Sequence, residues 1–139
     1  MILMGVSSRV SLFCRVPSYE NLDAFKACQE LTLAVHPIVE VMDKRDPELS
    51  VQLWAAALIA SSRIARGSGF RSRRMFWGAA DRSLGALSEI AYHLNMADGL
   101  SLISKEDHQR LENLRGRAVF YTLKLVFELA GGDNKDANA

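Results

Sequence analysis

At 139 residues and 49% apolar content, the chain has the size and composition of one domain built on one core. A formal net charge of +1 and a pI near 7.8 exclude a molecule that is basic as a whole, so attraction to polyanions must come from local clustering. Two cysteines, Cys14 and Cys28, form neither a disulfide framework nor a zinc pattern, which suits a reducing cytoplasm.

In chain order, residues 1–18 read as an N-terminal arm. They show no helical period, and Pro17 biases Val16 toward an extended conformation. The opening residues lack a charged n-region, and Arg9 interrupts the apolar run that a signal peptide needs. The bundle proper is expected over 19–130. Its first helix runs from Tyr19 to Met42, with a seam of Ala24, Cys28, Leu31, Val35, Ile38 and Met42 at alternating steps of four and three. Pro37 removes one backbone donor from it and predicts a kink.

Asp46-Pro47-Glu48 reads as N-cap, N1 and first-turn acid of a second helix extending to Arg66. That helix is apolar in nearly every direction and is expected to be buried all round, by neighbouring copies where a lone bundle cannot cover it. Its charge-free stretch, Leu49 to Ser62, is shorter than the ~20 residues that span a bilayer, so no membrane partner is expected. Gly67 takes the C′ position, where left-handed backbone is usual.

A third helix starts near Ser72 and ends before Gly99, with a seam of Trp77, Ala80, Leu84, Leu87, Ala91 and Leu94. Gly78 and Gly85 are placed to let a neighbouring backbone come close. The fourth starts at Ser104, with Asp107 as the reciprocal half of a capping box. Its seam is Leu111, Leu114, Ala118, Tyr121, Leu125 and Leu129. Residues 131–139 read as a loose polar tail. The fourth helix is also apolar at Val119, Phe120, Leu123, Val126 and Phe127, more surface than a lone bundle covers, and these residues are expected to form an oligomer interface.

The most distinctive stretch is RIARGSGFRSRRMFW, residues 63–77, with five arginines and no acid. Ungapped from Arg63 to Ile90, it resembles the four-helix bundle family related to the 23S rRNA intervening-sequence-encoded protein, which includes the accessory protein of diversity-generating retroelements. That family's run is N-I-A-E-G-x-G-R-x-S-x-x-E-F followed by G-S-L-x-E-L. Here Ile64, Ala65, Gly67, Gly69, Ser72 and Phe76 stand in register, then Leu84-Gly85, Leu87, Glu89 and Ile90. Tyr19, Leu22, Phe25, Glu30, Leu31 and Val35 fall at the family's helix-1 positions, and Leu100 to Asp107 resembles its last loop and cap.

The resemblance implies an all-α, left-handed up-down bundle assembled as a homopentamer, with no known catalytic activity. It also implies association with RNA or single-stranded DNA, and with a nucleic-acid enzyme such as a reverse transcriptase. Where the family's run has an asparagine and two glutamates, this chain has Arg63, Arg66 and Met75.

Those departures concentrate charge. With Met75 the reciprocal capping bond to Ser72 is lost, and Arg73 and Arg74 occupy the positive end of the third helix. Each such charge costs about 0.3–1 kcal/mol at low salt. Cations and free helix amides around a glycine loop make an anion site, and guanidinium suits phosphate. The candidate nucleic-acid-binding residues are therefore Arg63, Arg66, Arg71, Arg73 and Arg74, with Phe70, Phe76 or Trp77 available for stacking on bases. The same corner could instead dock an acidic protein on an oligomeric scaffold.

Catalysis is not expected. The chain has three histidines and no Glu-x-x-His, so the di-iron pattern of four-helix bundles is missing and no metal or cofactor is called for. Glu89 and His93 make a single i,i+4 pair, expected to be a rim hydrogen bond. Cys28 sits on a seam as a small buried residue, and Gly67-Ser68-Gly69 lacks the lysine of a phosphate-binding P-loop.

Overall fold

The computed structural model describes residues 18–136, with side chains through residue 131. The expected arm, apart from Ser18, and Cys14 with it lie outside the described residues. A short 3-10 turn at Tyr19–Asn21 leads into α1 (Asp23–Met42), α2 (Pro47–Ser68), α3 (Arg73–Gly99) and α4 (Lys105–Asp136).

The helix starts are written locally. Asp46 Oδ1 accepts from the Leu49 amide at 3.0 Å, with Pro47 behind it at the first helical position. Ser72 and Ser104 accept in the same way from Met75 at 3.2 Å and from Asp107 at 3.0 Å. The end of α3 closes as a Schellman turn: the Leu102 amide donates to the Ala97 carbonyl at 2.8 Å and Ser101 to Asp98 at 3.0 Å. Ser101, at φ 57°, holds the left-handed position that glycine usually takes there.

Each helix packs on its chain neighbours, and α1 closes the square against α4; the backbones of diagonal helices stay apart and meet through core side chains such as Cys28 and Ser83. Cross-helix pairs show that neighbours run antiparallel. Thr32 meets Ala57 and His36 meets Trp54 between α1 and α2, Gly67 meets Phe76 and Ser83 meets Ala60 between α2 and α3, and Cys28 meets Thr122 between α1 and α4. The result is an all-α, up-down four-helix bundle.

The core stacks Leu31, Val35 and Met42 of α1 against Leu53 and Ile64 of α2, Leu87, Ile90 and Leu94 of α3, and Leu111 of α4. A polar layer crosses its middle. Ser83 Oγ donates to the Ala60 carbonyl at 2.6 Å, and Cys28 Sγ lies 3.9 Å from that hydroxyl and 3.7 Å from Thr122 Oγ1. The buried hydroxyls of Ser83 and Thr122 thus find partners on other helices, which offsets the penalty of burying them.

Several expectations need correcting. α1 is continuous from Asp23 to Met42 with the exposed Pro37 inside it. Gly67 is not a left-handed C′ residue. It lies inside α2, where an added Cβ would sit 2.6 Å from Phe76 and 2.8 Å from Ala79, and α2 ends one residue later in ordinary right-handed geometry. Gly78 and Gly85, expected to admit a backbone, have nothing within 4 Å of an added Cβ.

Burial also differs from the expected seams. α2 leaves Val51, Leu58 and Ile59 60%, 44% and 37% exposed on the single chain, the surplus apolar surface expected of this helix. Trp77 leaves the α3 seam and stands 39% exposed, because Phe76, not Trp77, fills the contact over Gly67. α4 continues through Gly131 to Asp136, past the expected end of the bundle, since two glycines weaken a helix by about 1 kcal/mol each without blocking its bonds. Of the expected interface residues, Val126 is buried with Ala24, Ile64 and Ala80, and Val119 packs half-buried on the core. Phe120, Leu123 and Phe127 project outward.

Candidate nucleic-acid interface

The corner is built where α2 stops. The Gly69 and Phe70 amides donate to the carbonyls of Arg66 and Gly67 at 3.1 Å, closing the helix with one tight turn. The chain crosses Arg71 and re-enters helix at Ser72. Because Gly67 brings α2 and α3 into close contact, the last turn of one and the first turn of the other stand side by side.

The five arginines have distinct fates. Arg71 and Arg74 are exposed, Arg63 is half-buried, and Arg66 is exposed with its guanidinium 5.8 Å from the centre of the half-buried Phe70 ring, a cation–π distance. Arg73 is engaged elsewhere. Its Nε donates to the Leu129 carbonyl at 3.0 Å and its Nη2 to that of Glu128, tying the start of α3 to α4. Among the described residues, none of the five has a carboxylate within ion-pair distance, whereas Arg110, Arg115 and Arg117 pair with Asp107, Glu112 and Glu30.

The start of α3 reinforces this positive field. Its first turn holds no acid, and Met75 donates its amide to Ser72 but returns no side-chain bond, as expected from the lost glutamate. Trp77 and Met75, 39% and 54% exposed, add apolar surface beside Arg74. Sequence reasoning misassigned Trp77. The only available signal was Phe76 beside it, which competes for the same contact.

The sites of other chemistry are inert or scattered. Burial pushes the Cys28 thiol up, and the hydrogen bonds from Thr122 and Ser83 only partly oppose that. His93 is buried with Nδ1 unpartnered, and its expected bond to Glu89 does not form. Among the described residues no three His, Cys, Asp or Glu side chains gather as a metal site. No helix among them is long and apolar enough to cross a membrane.

A four-helix bundle with this glycine-linked corner agrees with the comparison to known families. The family model described as 23S rRNA-intervening sequence protein matches residues 20–118. The chain belongs to that family. The match covers α1, α2, α3 and the first half of α4, so the arginine corner lies wholly inside the family region. The exposed Phe120, Leu123 and Phe127 lie just beyond it. The curated proteins give no match.

Proposed function

We propose that this chain is a non-enzymatic, homo-oligomeric bundle that binds nucleic acid, RNA or single-stranded DNA, through the corner between α2 and α3. The observation that carries the reading is the set of arginines without carboxylate partners among the described residues: Arg63, Arg66, Arg71 and Arg74. Arg73 supports the site from behind by fixing the first turn of α3 on α4. The family's printed description, an intervening sequence of 23S rRNA, supports a nucleic-acid context. Oligomerisation, as the expected homopentamer or another closed ring, repeats the corner once per subunit, so that weak sites add.

Two outward apolar faces support association. One is Phe120, Leu123 and Phe127 on α4, and the other is Val51, Leu58 and Ile59 on α2.

The test is a salt titration of binding to single-stranded RNA, single-stranded DNA and polyglutamate. Phosphate contacts give a linear decline of log affinity with log salt, at about −0.7 per phosphate for single strands. Arg71→Glu combined with Arg74→Glu is expected to weaken nucleic-acid binding at least tenfold and flatten that slope. Tight binding to polyglutamate with none to either nucleic acid would make the corner a dock for an acidic protein.

A further inference from the structure

We infer that Trp77 is a base-stacking platform, so that the corner takes nucleic acid with unpaired bases in preference to a duplex; this rests on the nucleic-acid reading above. Trp77 lies in the second turn of α3, three residues after Arg74 and four after Arg73, the spacing that makes side chains neighbours on a helix surface. Of the residues beside it in the chain, Phe76 is taken up by its contact with Gly67, and Gly78 has nothing within 4 Å of an added Cβ. The residue is 39% exposed, and among the described residues its ring stacks on no aromatic ring and receives no cation.

The surroundings select the ligand. Arg73 is tied to the carbonyls of Leu129 and Glu128, which anchors the first turn of α3, just ahead of Trp77, on α4, while Arg74 is exposed. Along the chain no acid stands between Arg63 and Trp77, and the first beyond the indole is Asp81, one turn on in α3, so the cationic side is the end that holds Arg71 and Arg74. A flat π surface beside guanidinium groups matches a strand that offers phosphates and base faces together. A duplex offers the phosphates alone, because its bases are already stacked. RNA and single-stranded DNA share this chemistry.

The test uses the full chain with Trp54→Phe, which leaves Trp77 as the sole indole. The probes are a short uridine oligonucleotide, its deoxythymidine counterpart, an abasic strand of equal length and a fully paired RNA duplex. Quenching of indole fluorescence by the base-bearing strands, and weaker binding of the abasic strand and the duplex, are expected. Trp77→Ala should weaken binding of the base-bearing strands about tenfold, leave the abasic strand unaffected, and be largely rescued by Trp77→Phe. Salt-dependent binding that ignores Trp77, or a Trp77→Ala loss equal on the abasic strand, overturns this inference and leaves the broader reading standing. A change in sedimenting mass on Trp77→Ala also overturns it, by making Trp77 a subunit contact. Failure of every strand to bind, abasic included, removes the nucleic-acid reading and this inference together.

Discussion

Cys28 illustrates how much one side chain's meaning depends on its depth. Its place on the α1 seam already marked it as buried, and the structure adds that its sulfur meets hydroxyls from α3 and α4. Burial is the dominant influence and raises its pKa above the ordinary value of 9.0. The folded chain therefore keeps this proton at pH values where the unfolded chain has released it. The associated stability is fully present below about pH 9 and is lost as pH rises above that. Cys28→Ala removes the titration at the expense of a small cavity. Its melting temperature should start lower at pH 8, yet fall less than that of the unaltered chain between pH 8 and pH 10. The difference is bounded by about 1.4 kcal/mol per pH unit. Identical pH dependence in the two proteins would show that the thiol ionises as readily folded as unfolded. Arg73 makes the complementary point. Its partners are backbone carbonyls 55 and 56 residues away, and nothing in the local sequence distinguishes it from Arg74.

At the scale of helices, glycine separates two effects that sequence alone confounds. Inside a helix, glycine is about 0.8–1.0 kcal/mol less favourable than alanine. At Gly116, on the exposed face of α4, an added Cβ meets nothing, so Gly116→Ala should stabilise the protein by about 0.5–1 kcal/mol. At Gly67 the same change drives a methyl group into the Phe76 ring and the Ala79 Cβ. Overpacking of about 1–3 kcal/mol then outweighs the propensity gain, and Gly67→Ala should lower stability in a denaturant titration. A stabilising Gly67→Ala would mean that α2 and α3 separate easily. What was legible at this scale was local: Asp46-Pro47, Ser72 and Ser104 each form their caps within three residues of themselves. The close approach at Gly67, the exposure of Trp77 and the inward turn of Val126 depend on which helix lies opposite. Periodicity states that a face is apolar without naming what covers it.

For the whole molecule, the placement of the two outward apolar faces constrains how copies can meet. α2 and α4 occupy diagonal corners, and their outer faces point away from each other. A two-fold contact through one face leaves the other uncovered, whereas joining the α2 face of one copy to the α4 face of the next covers both. Such head-to-tail contacts close into a ring or run on as a filament. The proposed association therefore predicts a mixing result. Phe120→Glu with Phe127→Glu, or Leu58→Glu alone, should each reduce the assembly to monomers in light scattering, since a head-to-tail joint needs both faces. Mixed together, the two variants retain one intact face each and should form a one-to-one heterodimer and nothing larger. If each variant alone instead settles as a stable dimer, the faces pair with themselves, and the cationic corners cannot be repeated around a ring by this contact.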